Sequence, residues 1–267
     1  MQAATLPAIA GWHWARDGFR LFMRQPLALF TWALAVSLLV LFATLTPPVG
    51  PLIFIALMPI VTLTTLSACK HVAADRTMLP SMWVKPLQKP GVARKMVSLG
   101  VLYAALCLTA GLLAFLPFSS DLAEGVRAAT VTDDLTPFLE AMRGPLLIFA
   151  TIYIVIAALF WHAPVLIAWH GVRLAQALFF SGIACWRNKW AFLVYGLTWA
   201  AVFLGIDFCG SMLVAIGLPV QVVSTLQIPV NIAAGGILYS SFYPAYTSVF
   251  ETNEPVFEFR DGDHPQA

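Results

Sequence analysis

The sequence predicts an all-α fold, a polytopic membrane helical bundle with six transmembrane helices in three elbow-plus-hairpin units. Three observations carry this expectation. Of the 267 residues, 60% are hydrophobic and 10% charged, with a mean hydropathy of +0.83, whereas soluble domains carry about 25% charged residues. The apolar residues gather into six runs, each near the ~20 residues that a helix rising 1.5 Å per residue needs to cross the hydrocarbon core. The charged residues sort between the intervening loops, basic in some and acidic in others.

Residues 8–25 make the first elbow. Ile9, Trp12, Ala15, Phe19, Phe22 and Met23 recur at helical steps beside an arc of His13, Arg16, Asp17, Arg20 and Arg24. That pattern predicts an amphipathic helix lying in the membrane interface. Pro26 ends it, and no cleavable signal is expected because no A-x-A-type site follows. The spans are predicted at about residues 27–46, 52–68, 97–118, 146–169, 190–217 and 228–250. Pro47, Pro48, Gly50 and Pro51 turn the first two into a hairpin.

The loop 69–96 carries Lys70, Arg76, Lys85, Lys89, Arg94 and Lys95 against Asp75. Pro80, Pro86 and Pro90 preclude a long helix there, while Met82, Trp83 and Val84 are placed to dip into the interface. Residues 119–145 reverse the sign and read as an outside loop, with Asp121, Glu124, Asp133, Asp134 and Glu140 against Arg127 and Arg143. The elbow 170–189 has Arg173, Arg187 and Lys189 and no acid, and a short uncharged turn at 219–227 precedes the last span. Of the 15 Lys and Arg residues, only Arg127 and Arg143 fall outside; the other 13 lie in segments assigned to the cytosol. The bias places both termini in the cytosol. Residues 1–250 are read as a single six-span domain and 251–267 as a disordered acidic cytosolic tail.

Internal repetition supports the three units. Phe22-Met-Arg-Gln-Pro-Leu-Ala-Leu-Phe-Thr-Trp-Ala-Leu34 parallels Cys185-Trp-Arg-Asn-Lys-Trp-Ala-Phe-Leu-Val-Tyr-Gly-Leu197, each with an Arg and an amide just before a span. Pro59 with Thr62 and Pro244 with Thr247 match in the inward-going helices, Pro164 stands similarly, and the middle unit diverges most. Through Ala163-Pro164-Val-Leu-Ile167, Ala177-Leu178, Ser181 and Arg187-Asn188, the chain resembles bacterial six-helix membrane families. These include the YciC-like family and the membrane domain attached to some glycerophosphodiester phosphodiesterases. The resemblance implies a six-helix inner-membrane protein and carries over no catalytic residue, since the phosphodiesterase chemistry of the fused proteins belongs to a soluble domain.

Polar residues inside the spans are the candidates for chemistry. Asp207 is the one acid in a span, but about 17 residues from the inner end place it roughly 25 Å in, near the outer interface. Asn231 lies at comparable depth as a possible hydrogen-bond partner. His162, roughly 10 Å in beside Pro164, reads either as a group satisfying the proline break or as a pH sensor. Gly236, Tyr239, Ser240, Tyr243 and Thr247 form one stripe on the sixth span, either a packing face or the wall of a hydrated path. Cys69, Cys107, Cys185 and Cys209 lack metal-ligand spacing and read as apolar fillers. No Walker loop, GxGxxG, HExxH or GxSxG occurs, so no enzyme, metal or cofactor is expected.

Two functions fit. One is a non-enzymatic component that organises lipid or assists another membrane protein, using interfacial elbows at Trp12, Arg16, Arg20, Arg24, Trp83, Trp186 and Arg187. The alternative is a small-solute permease or exporter built on the repeats, Asp207 and the polar stripe. The expected partners are the lipid bilayer and a further membrane protein, and nucleic acid is not expected.

Overall fold

The computed structural model describes residues 3–250; the tail assigned to 251–267 lies outside them. Among the described residues the regular structure is helical. The first elbow is α1 (Ala10–Arg24), followed by α2 (Pro26–Leu45) and α3 (Val49–Ala73). Two 3-10 turns, Pro80–Trp83 and Lys85–Gln88, precede α4 (Val92–Phe115), and a third, Leu116–Phe118, leads to α5 (Ser119–Thr132). Then come α6 (Thr136–Phe160), α7 (Ala163–His170), α8 (Leu174–Arg187), α9 (Lys189–Ala215) and α10 (Val220–Phe250). Six stretches are long and apolar enough to cross a membrane, as the sequence predicts, and the fold is an all-α polytopic bundle.

Three local expectations need correction. Residues 119–145 are not a loop: α4, the 3-10 turn and α5 make a 41-residue helical stretch, Val92–Thr132, about twice what a core of roughly 30 Å needs. It returns through α6, which starts at Thr136 because the Asp134 carboxylate accepts from both the N–H (2.9 Å) and the hydroxyl (2.7 Å) of Thr136. These bonds hold the Asp134 carboxyl below its ordinary pKa. Residues 220–227 likewise belong to α10 and not to a turn. Hydropathy marks where the bilayer ends, while helix hydrogen bonds continue into water, and that difference accounts for both extensions. The fourth span, finally, breaks at Trp161 and His162, ahead of Pro164 in the first turn of α7.

The described helices gather into two compact units. Among the described residues, one comprises residues 3–38, 64–84 and 186–250. Its centre is α1 laid against α9 and α10. Contact there is close enough that a Cβ at Gly11 would run into the carbonyl oxygen of Ala191, and one at Gly18 into the backbone and Cβ of Ser241. Trp14, 2% exposed, fills the crossing. Its ring meets Phe192 and Tyr195 at centroid distances of 5.1 and 5.9 Å, and its Nε1 donates to Ser248 Oγ at 2.8 Å. Tyr195 and Ser241 share a buried hydroxyl–hydroxyl bond joining α9 to α10.

The other unit comprises Leu39–Leu63 and Lys85–Cys185. Gly100 of α4 abuts the Ala56 carbonyl of α3, and Tyr103 reaches across to Tyr153 of α6, hydroxyl to hydroxyl at 3.0 Å. In the α5–α6 hairpin Gly125 of α5 sits against Pro137, Phe138 and Ala141. At the α6–α7 break, Ser181 of α8 donates to the Ala158 carbonyl (2.8 Å) and accepts from the His162 N–H (3.0 Å). A hydroxyl from the third elbow thus satisfies the backbone where the helix parts, as buried polar groups in lipid require.

The glycine crossing makes a direct prediction. Gly18→Ala places a methyl against fixed backbone, so thermal unfolding in detergent is expected to show a loss of about 1–3 kcal/mol. Gly196→Ala, where a Cβ meets nothing within 4 Å, is expected to be neutral or stabilising. Equal behaviour of the two variants would contradict the packing described.

Candidate functional site at the interfacial elbows

Three arcs divide the surface of α1. The inner arc, Ala10, Gly11, Trp14, Ala15, Gly18, Leu21 and Phe22, is buried. A second arc of Ile9, Trp12, Phe19 and Met23 is apolar and half exposed. His13, Arg16, Asp17, Arg20 and Arg24 make up the third. Ala15 and Phe22 therefore belong to the docking face and not to the interfacial stripe the periodicity suggests. A wholly apolar sequence arc cannot tell a protein neighbour from lipid.

The helix α8 repeats the plan. Ala177, Ser181, Ala184 and Cys185 are buried, and burial pushes the Cys185 thiol up to about 12, partly offset by its hydrogen bond with Ser181. Phe179, Ile183 and Trp186 form the exposed apolar arc, with Trp186 73% exposed. Just beyond stand Arg187 and Lys189. The Lys189 ammonium lies 4.6 Å from the Trp186 ring centroid and 5.9 Å from that of Trp190.

Both elbows end in the same device. Asn188 donates from Nδ2 to the Ala4 carbonyl (2.9 Å) and accepts at Oδ1 from the Leu6 N–H (2.8 Å). Gln25 donates from Nε2 to the Arg76 carbonyl (2.8 Å) and accepts at Oε1 from the Met78 N–H (2.8 Å). Each amide brackets the C=O of one residue and the N–H two residues later in an irregular segment that leads into an elbow. The flanking arginines join in, Arg187 Nε to Thr5 Oγ1 at 3.0 Å and Arg24 Nη1 to Asp75 at 3.0 Å. The repeat alignment matches Gln25 with Asn188, although the pattern alone gives neither a role. The clamped segments, Ala4-Thr-Leu-Pro7 and Arg76-Thr-Met-Leu-Pro80, are themselves alike, a signal that was legible and missed.

At the middle elbow, Trp83 is half-buried and lies edge-on to Trp32 at 4.8 Å, while Trp32 Nε1 donates to Thr65 Oγ1 at 2.8 Å. Trp83 is thus partly engaged by the protein, while Val84 beside it is 53% exposed. The intramembrane candidates do not assemble into a reactive cluster. Asp207 and Asn231 are both exposed and form no hydrogen bond with each other. His162 is buried at the α6–α7 break. On α10, Ser240 and Tyr243 are buried, Gly236 faces Phe22 and Ala33, and Tyr239 lies edge-on to Phe242 at 5.5 Å. The small and polar stripe is a packing face over this length, and Ser240 hydrogen-bonds with Cys69 of α3.

Removing one clamp leaves a backbone C=O and N–H without their partner. Asn188→Ala is expected to lower stability by about 1–3 kcal/mol and to speed amide hydrogen exchange at Leu6. Exchange there at the wild-type rate would contradict the clamp.

No family model matches the chain, and no solved structure matches it. A curated protein of Burkholderia thailandensis, named "Probable inner membrane protein", is 33% identical over 263 residues, which cover 96% of this chain and 96% of that one. Identity of that extent across the whole length, joined to six apolar spans, shows a shared architecture from the first elbow to the last helix. The chain belongs to the family of multi-pass inner-membrane proteins that this Burkholderia protein represents.

Proposed function

We propose that this inner-membrane protein is a non-enzymatic component that organises lipid at the cytosolic face, or presents that face to another membrane protein. The double-sided construction of α1 and α8 carries the reading. Each helix is held by a buried inner arc and turns outward an apolar arc beside cations. A helix held in this way at headgroup depth offers its apolar residues to acyl chains and its cations to phosphates. The placement of 13 of 15 Lys and Arg residues in the elbow-side segments and the tail supports cytosolic termini. The run around Ala163, Pro164, Ser181 and Arg187-Asn188 supports a place near the YciC-like proteins.

The permease alternative draws less support. Its polar stripe is taken up by packing, and Asp207 is exposed. Native mass spectrometry of the protein released from its own membranes separates the two. Reproducible lipid or protein adducts that survive Asp207→Asn are the expected result. A stoichiometric small solute lost in Asp207→Asn, with no lipid retained, would replace the lipid reading with the permease.

Orientation has its own test. A fluorescent protein fused at the C-terminus is expected to fluoresce, and a periplasm-dependent phosphatase fused after Val131 to be active. The reverse pair of results would invert the topology.

A further inference from the structure

The two helical elbows differ in how their cations are balanced. In α1, Arg16 and Arg20 share Asp17 at 3.1 and 3.9 Å, and Arg24 pairs with Asp75. The chain supplies the counter-charges itself. The third elbow, residues 170–189, contains no acid, and neither Arg187 nor Lys189 enters an ion pair among the described residues. Arg187 Nε is committed to a neutral hydroxyl, Thr5 Oγ1. Lys189 is held against the rings of Trp186 and Trp190, a cation–π placement that steadies the ammonium without neutralising it.

We infer that the corner Trp186-Arg187-Asn188-Lys189-Trp190 binds the headgroup of an anionic phospholipid, an inference that rests on the lipid-organising reading. Two cations within three residues await an anion. The two indoles beside them, 73% and 63% exposed, identify that anion as part of a lipid. Exposed Trp at the end of an apolar span belongs at the headgroup layer, whereas a free phosphate gains nothing from bare indole. The Asn188 clamp on Ala4 and Leu6, with the Arg187 bond to Thr5, fixes the corner so that its cations are presented from an ordered backbone.

The test uses the full chain in detergent, offered phosphatidylglycerol and phosphatidylcholine with identical acyl chains in equal amounts, and reads bound lipid by native mass spectrometry. The wild type is expected to retain phosphatidylglycerol preferentially, with a preference that falls as salt rises. Each cation removed is expected to weaken that retention roughly fivefold, and Arg187→Gln with Lys189→Gln together about twenty-five-fold. Arg127→Gln with Arg143→Gln, on the exposed surface of the α5–α6 hairpin, is expected to change it less than about twofold. Because Arg187 also touches Thr5, Lys189→Gln alone and the charge-keeping pair Arg187→Lys with Lys189→Arg separate charge from folding. Wild-type retention in the Gln pair, equal retention of both lipids by the wild type, or displacement of the lipid by inorganic phosphate would each overturn the inference. Should neither lipid be retained, the lipid-organising reading itself falls. Retention without headgroup preference sinks only the anionic site.

Discussion

The structure of the unit built around the first elbow depends on the docking of α1 across α9 and α10. Two glycines, Gly11 and Gly18, let backbone approach backbone, and Trp14 closes the space they open with one large ring and one hydrogen bond. Small residues matter more here than in water, because lipid is as apolar as leucine and gives helices no hydrophobic reason to associate. Close packing and satisfied hydrogen bonds must supply the association. The Tyr195–Ser241 bond, the Trp14–Ser248 bond and the Asn188 clamp are each placed where α1 or its leading segment meets the last hairpin.

That docking has a consequence for orientation. A helix bound along one arc has its other arcs aimed, and in α1 the aimed arcs are apolar residues on one side and charged residues on the other. The third elbow follows the same logic with a different contact, since Ser181 ties α8 to the broken end of α6. The amide at the end of each elbow then takes hold of the segment that begins another. Gln25 of the first holds the lead-in to the second, and Asn188 of the third holds the lead-in to the first. Within their unit, the lead-in segments of the first two elbows are thus fixed by side-chain amides instead of being left to lipid alone.

Much of this was readable beforehand, for physical reasons. A span has to be apolar over its whole length, so the six spans are written in composition, and α1 is written in its period. What was not readable depended on neighbours distant in sequence. Nothing local distinguishes Phe22, which is buried, from Phe19, which is exposed, because both are apolar on one helix. Ser181 looks like any helix serine until the break at His162 is seen beside it. The α5–α6 hairpin is not legible as helix because acids such as Asp121, Asp133 and Asp134 signal water, and a water-facing segment can be loop or helix alike. The repeat of Arg-Gln and Arg-Asn before the first and fifth spans was visible, yet its meaning lay in Ala4 to Leu6 and Arg76 to Met78, segments with no periodicity to draw notice.

Asp207 shows how exposure changes the weight of a polar residue. It lies 18 residues into α9, about 27 Å from Lys189 and about 12 Å short of Ala215, and it shares the outward face with Leu204, Phe208 and Ser211. A carboxylate on a transport path has to face a hydrated interior formed by packed helices, and this one faces away from the contacts of its own unit. A path through Asp207 would need a second wall that the helices packed in its unit do not provide. An interfacial carboxylate needs no such wall. Near the Ala215 end of its span, a carboxylate on an exposed face costs little where headgroup water can solvate it.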